Sequence, residues 1–245
     1  FVSKIATATN IDENLKMIET ELVPRFKALV ARKSKHIVKN TSPRTTSNSA
    51  GVNNFNPDIL CVASSTGGPD MLMKLFSGLQ KLNIPMVIVQ HMPPVFTTQL
   101  AKTLDTLSPN TVVEAKKGDK LLPGHCYLAP GDFHMTIKKS VMPDEYMIDL
   151  DQAEKVCFVR PAADRLFKSV AQCFKGKIAG IVLTGMGSDG ANGSKLIKDI
   201  GGKILIQDEE SCVVWGMPRA VYELDCFDGV FSPEELITKI NKFGK

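Results

Sequence analysis

Three strand-like apolar runs dominate the middle of this chain, and each ends on a polar residue of a different chemical kind. Ile59–Ser64 leads into Ser65-Thr66-Gly67-Gly68, Pro85–Gln90 leads into His91, and Ile178–Thr184 leads into a glycine loop that holds Asp189. In an open parallel sheet the carboxyl ends of the strands share one edge, and ligand crevices form along it. A hydroxyl, an imidazole and a carboxylate far apart in the chain therefore have one place to meet, which points to hydrolytic chemistry.

Further strands are expected at 111–116, 125–129, 134–139, 145–150 and 203–207, with helices near 69–82, 96–107, 161–175, 190–200, 217–224 and 233–242. Helices separate the first three strands and flank 178–184, as βαβ units require. Between 111 and 150 the pattern changes: short strands are punctuated by Pro123-Gly124, Pro130-Gly131 and Pro143-Asp144, which read as antiparallel excursions and make a mixed sheet the expectation. The fold class is thus α/β, a doubly wound, mostly parallel sheet flanked by helices, with a short antiparallel excursion.

Ahead of this domain, Asn10-Ile11-Asp12-Glu13 forms a helix start, and Ile11, Leu15, Ile18, Leu22, Phe26 and Leu29 recur at helical spacing, with Pro24 expected to kink the helix. Residues 33–57 turn to Lys, Ser, Thr, Asn and Pro, a composition that cannot offset its own ordering entropy and reads as a flexible linker. The expected divisions are 1–32, 33–57 and a main domain over 58–245. The chain opens on Phe1 rather than Met, which suggests a fragment.

The net charge of +4 is unevenly held. Residues 1–57 carry nine Lys/Arg against four acids, a balance of +5, and the other 21 basic and 22 acidic residues leave the main domain at −1. Such a domain lacks the clustered basic footprint of a nucleic-acid binder. No run reaches the roughly 18–20 apolar residues of a membrane span, and no leader pattern is present, so no membrane insertion and a cytoplasmic location are expected. The six cysteines show no Cys-x-x-Cys pair or zinc-type His spacing, and they read as reduced structural thiols, with Cys61 and Cys126 buried in strands.

Ala63-Ser64-Ser65-Thr66-Gly67 resembles a Gly-x-Ser-x-Gly nucleophile turn with alanine at the first glycine position. The bland use of such a turn is a serine cap or a phosphate cradle. His91, at a strand end before Met92-Pro93-Pro94, is placed to take a proton from a serine, whereas His125 and His134 beside the Pro130-Gly131 turn have no third ligand, and His36 falls in the linker. Gly185-Met186-Gly187-Ser188-Asp189-Gly190 fits a dinucleotide fingerprint, with Asp208 near the spacing of a ribose-binding acid, so a dinucleotide-binding module is the rival reading. In the hydrolytic reading Asp189 instead accepts a hydrogen bond from His91. Position favours this use, because a dinucleotide fingerprint usually opens its domain and leaves the Ser65 turn without a role. Met186 and Trp215 lie at loops that border the same edge.

Taken together these segments resemble the catalytic domain of the bacterial chemotaxis protein-glutamate methylesterases, the CheB type. The resemblance rests on Ala63–Gly68, Gln90-His91-Met92-Pro93, Tyr127–Gly131, Arg160-Pro161, Leu183–Gly190 and Ser211–Pro218, spread in order over about 59–240. It implies Ser65 as nucleophile, His91 as base, Asp189 as its partner, and the backbone amides of Thr66 and Met186 as the oxyanion hole. It implies hydrolysis of glutamate γ-methyl esters on chemoreceptor cytoplasmic helices, in many members also deamidation of receptor glutamines, and no metal or cofactor. Members normally carry a receiver domain phosphorylated by a histidine kinase. Phe1-Val2-Ser3-Lys4 is similar to the end of such a domain, with Lys4 at its switch lysine, and the phosphoacceptor aspartate would lie upstream.

Overall fold

The computed structural model describes Val52 and residues 55–243. The expected helix of 11–29, the similarity to a receiver end at Lys4 and most of the 33–57 stretch lie outside the described residues. The last part of that stretch is packed: Val52 is buried, and Phe55 meets Phe243 edge to face with ring centroids 6.3 Å apart.

In chain order the elements are β1 (Ile59–Ser64), α1 (Gly68–Gly78), β2 (Met86–Gln90), α2 (Phe96–Leu107), β3 (Thr111–Glu114), β4 (His125–Leu128), β5 (His134–Lys139) and β6 (Tyr146–Asp151). Then follow α3 (Ala163–Phe174), β7 (Ile178–Val182), α4 (Ala191–Asp199), β8 (Lys203–Gln207), α5 (Gly216–Glu223), β9 (Gly229–Phe231) and α6 (Pro233–Phe243). Seven strands form one sheet in the order β3-β4-β2-β1-β7-β8-β9, with every neighbouring pair parallel. The chain winds outward from β1 through β2, then returns to lay β7 on the other side of β1. Strand order reverses there, and a doubly wound sheet opens its crevice at such a point.

All six residues of β1 are buried, which explains a strand with no polar alternation. Ile59, Cys61 and Ala63 face α3, α4 and α5, while Leu60 and Val62 face α1, α2 and α6. In α1, Pro69 occupies the first turn, where its missing N–H costs nothing, and Met71, Leu72, Leu75 and Phe76 form the buried stripe. The helix stops at Gly78, short of the expected 82, because the chain becomes extended at Leu79.

The expected mostly parallel, doubly wound sheet with a short antiparallel excursion is present, but the excursion does not join the main sheet, which is parallel throughout. β3 and β4 run parallel to the rest, joined by the irregular crossover 115–124, and Pro123-Gly124 closes that crossover instead of making a hairpin. Antiparallel strands occur in β5 and β6, a separate ribbon whose Met135, Ile137 and Ile148 pack with α3, and single antiparallel bridges join Lys120 to Met147 and Val156 to Val159. β9, only three residues long, gives too little alternation to be seen in the sequence.

Candidate active site

β1 ends at Ser64, and the chain turns through Ser65 and Thr66 to Gly67, whose φ of 77° is open mainly to glycine. A Cβ there would also lie 2.5 Å from Val213 Cγ2. The Ser65 amide donates to Thr184 O at 3.0 Å, and the Ser65 carbonyl accepts from Gly68 N at 2.8 Å. Ser64 pairs in register with Gln90, so Ser65 and His91 leave adjacent strands side by side, and His91 N donates to Ser64 O at 3.1 Å.

Gln90 locks this pair. Its Oε1 accepts from Ser64 Oγ at 2.6 Å, and its Nε2 donates to the carbonyls of Ser65 and His91 at 2.9 and 3.1 Å. A buried amide with both ends satisfied specifies one geometry.

His91 and Asp189 are brought together: Nε2 lies 2.7 Å from Oδ2, and the side chains are 9% and 3% exposed. The Asp189 carboxylate also accepts the first amides of α3, Ala163 N at 2.6 Å and Asp164 N at 3.0 Å. The partial positive charge of a helix start favours an anion at this position. With Nε2 donating to Asp189, Nδ1 is the ring nitrogen left to accept a proton.

Asp164 returns the favour to the next helix. Its Oδ1 accepts from Gly193 N at 2.7 Å, near the start of α4, so the helices on either side of the Asp189 loop exchange acidic caps. Burial, and then the Asp189 charge, push the Asp164 carboxyl above the usual range.

A second loop completes the rim. Thr184 Oγ1 donates to Thr66 O at 2.9 Å, Thr184 N donates to Gln207 Oε1 at 2.8 Å, and Gly185 N donates to Val214 O at 2.9 Å. The Thr66 and Met186 amides donate to no acceptor among the described residues. Met186 and Val213 are 73% and 68% exposed on this edge, and Trp215 Nε1 donates to Gln207 O.

The dinucleotide reading loses its physical basis here. A Cβ on Gly185 would lie 2.8 Å from Ser65 Cβ and collide with Met217, so this glycine lets two loops touch instead of admitting a pyrophosphate. Asp208 accepts from Ser211 N and Ser211 Oγ within its own turn. Cys157, Asp164 and Asp189 offer ligand atoms within 4.8 Å of one another, yet both carboxylates already spend their oxygens on N–H donors. All six cysteines are free thiols: Cys61, Cys126, Cys173 and Cys226 are buried, Cys212 is half-buried and Cys157 is exposed; burial pushes Cys126 up to about 12.

The parts played by Gln207 and Asp164 rest on hydrogen bonds to backbone amides that the sequence does not show. Gln207 carried one faint signal, a polar residue ending an apolar strand as Gln90 does.

An open, doubly wound α/β protein with buried polar groups gathered at the central strand ends is the class that fold and rim define. Residues 60–240 match the family model described as CheB methylesterase, and the chain belongs to that family. It is 40% identical over 218 residues to protein-glutamate methylesterase/protein-glutamine glutaminase 2 of Caulobacter vibrioides, covering 88% of this chain and 62% of that protein. It is 45% identical over 181 residues to the protein-glutamate methylesterase/protein-glutamine glutaminase of Maricaulis maris, covering 74% of this chain and 45% of that protein. The chain thus spans less than two thirds of either relative. The crystal structure of the Thermotoga maritima CheB methylesterase catalytic domain superposes with a TM-score of 0.73 at 39% identity, over 76% of this chain and 98% of that one.

Proposed function

We propose that this chain is a serine hydrolase that removes methyl groups from glutamate γ-methyl esters of chemoreceptors and deamidates receptor glutamines, in chemotaxis adaptation. The observation that carries this reading is the 2.7 Å contact of His91 Nε2 with Asp189 Oδ2 at the strand end adjacent to Ser65. Membership of the CheB methylesterase family and the names of the relatives supply the substrate class.

Ser65 Oγ attacks the ester carbonyl while His91 Nδ1 takes its proton, and Asp189 steadies the imidazolium. The oxyanion is met by the amides of Thr66 and Met186. Collapse expels methoxide, which leaves as methanol with the proton held by His91. Water then attacks the acyl-enzyme as His91 takes its proton, and collapse releases a free glutamate side chain as His91 returns that proton to the departing Ser65 Oγ. With a glutamine substrate the first leaving group is ammonia. None of these steps calls for a metal or cofactor.

The partners in this reading are the cytoplasmic helices of methyl-accepting receptors, and a receiver domain phosphorylated by a histidine kinase in a longer protein. Cytoplasmic location and the absence of nucleic-acid partners belong to the same proposal. Among the described residues no helix is long and apolar enough to cross a membrane. Ser65→Ala tests the reading: methanol release from a methylated receptor fragment should vanish while the circular dichroism spectrum and melting temperature stay put. Near-normal release by the variant would refute it.

A further inference from the structure

The first amides of α3 are shared between two side chains. Ala163 N and Asp164 N go to Asp189, and Ala162 N, one residue earlier, donates to Nδ1 of His134 at 3.2 Å. His134 opens β5 and is fully buried. Its Nε2 lies 3.0 Å from the carbonyl oxygen of Glu154.

These partners assign the ring its protons. A carbonyl oxygen only accepts, so Nε2 carries the hydrogen; an amide only donates, so Nδ1 is bare. The neutral imidazole therefore ties the segment after β6 to the entry of α3. Arg160 holds the same entry from outside, with Nε and Nη2 on Asp132 Oδ1 at 3.0 and 2.6 Å and Nη1 on the carbonyls of Gln152 and Ala153.

We propose that His134 is a positioning residue: by fixing Ala162 it sets the first turn of α3, and so places the two amides that hold Asp189 against His91. The proposal deepens the hydrolase reading and rests on it, since it concerns the alignment of the same acid and base. A displacement of about 1 Å in supporting structure can cost on the order of 10²-fold in rate without touching substrate binding.

Protonation would oppose this arrangement, because a second hydrogen on Nδ1 would face the Ala162 N–H. Burial disfavours the charged ring first; the Glu154 carbonyl and Asp151 on β6 favour it, while Arg165 on α3 and Arg160 disfavour it, leaving His134 below the usual histidine range. A histidine depressed on folding stabilises the fold fully above its unfolded value, and that contribution is lost as pH falls through the lowered one.

The test uses the whole chain, with active sites counted by a serine-directed phosphonate and with wild type and Ser65→Ala run alongside. Wild-type methanol release that disappears in Ser65→Ala upholds the hydrolase reading; no release from wild type sinks that reading by itself. For His134→Leu, kcat per titrated site should fall about 10- to 100-fold with KM changed less than about twofold. His134→Asn, whose Oδ1 can accept where Nδ1 does, should recover most of the loss.

A second readout needs no turnover: the proton resonance of His91 Nε2–H, which should move or broaden in His134→Leu and return in His134→Asn. Wild-type kcat per site in His134→Leu, or an unmoved resonance, overturns the proposal. If His134→Leu fails to fold, His134→Gln, which sets no acceptor at the Nδ1 position, replaces it. Equal kcat and equal resonance in His134→Gln and His134→Asn would then overturn it.

Discussion

Two places on this molecule invite attention, and they differ in kind. A cavity of about 280 Å³ lies at the edge of the sheet, lined by residues of β3, β4 and the crossover between them, among them Glu114, Lys116, Asp119 and Tyr127. Its polar groups serve local ends: Glu114 accepts from Thr97 Oγ1 and Thr98 Oγ1, Asp119 Oδ2 accepts from Lys116 N, and the Tyr127 hydroxyl donates to Lys120 O. The rim at the ends of β1, β2 and β7 shares no lining residue with that cavity. There Gln90, Thr184 and Asp189 join groups that lie 25 to 118 positions apart in sequence. Concavity measures room, whereas convergence of buried, mutually bonded polar groups marks the place where chemistry has been arranged. An open rim also suits a reacting side chain presented by a macromolecule.

The largest effect is expected at Asp189. Asp189→Asn keeps the size of the side chain but removes the charge that, in the proposed mechanism, steadies the imidazolium, and it can impose the wrong tautomer on His91. In a known serine hydrolase the same change costs about 10⁴-fold in kcat. A loss of that order is expected in methanol release, and a loss under about tenfold would place the acid elsewhere.

Gln90 comes next. Gln90→Leu removes three hydrogen bonds at once and leaves the Ser64 hydroxyl and the His91 carbonyl to find other partners, while the Ser65 carbonyl keeps Gly68 N. Each buried polar group left unsatisfied costs about 1–3 kcal/mol, so denaturant unfolding should register a clear destabilisation. Because the glutamine clamps both strand ends, kcat of the folded fraction should fall as well. Unfolding at wild-type denaturant concentration would show that the rim holds its shape without the clamp.

The sequence made the rim legible to the extent that local signals ran in one direction. β1, β2 and β7 are continuous apolar runs, and each breaks at a small or polar residue just where the site begins. Ser65, His91 and Asp189 stood out because a strand end gives a hydroxyl, an imidazole or a carboxylate few structural reasons to be there. His134 did not stand out, because its partners are backbone groups of Glu154 and Ala162, 20 and 28 positions away, and a backbone amide leaves no mark in a sequence. Asp164 was hidden in the same way by Gly193 N. The direction of β3 and β4 is not legible in the sequence, because Pro-Gly closes a crossover as readily as a hairpin. The dinucleotide fingerprint misled because glycine serves close backbone approach whatever approaches, here Met217 and Ser65.

At Asp164 the rim responds to pH. Its carboxyl is raised in the fold, by burial first and by Asp189 among the other causes, so the folded state prefers it protonated. An acid raised on folding favours the fold below its unfolded value, and that advantage is lost as pH rises through the folded one. Asp164→Asn keeps an acceptor for Gly193 N and removes the charge, at the loss of the exposed bond from Asn192 Nδ2, which can turn to water. It should therefore unfold at the same or higher denaturant concentration than wild type near neutrality, with the difference shrinking toward acid. A variant less stable than wild type at neutral pH would show that the benefit of the Asp164 charge at the start of α4 outweighs the cost of its burial.

The smallest effect is expected at the cavity. Lys116 is exposed, and the hydrogen bond that its position gives Asp119 comes from its backbone nitrogen, so Lys116→Ala leaves the turn intact. Surface changes of this type usually lie within about ±0.5 kcal/mol, and kcat and KM for methanol release should both match wild type. If the cavity took part in substrate recognition, removing a cation from its lining would move KM while sparing kcat. A severalfold rise in KM would therefore join the two places that the hydrogen-bond pattern separates.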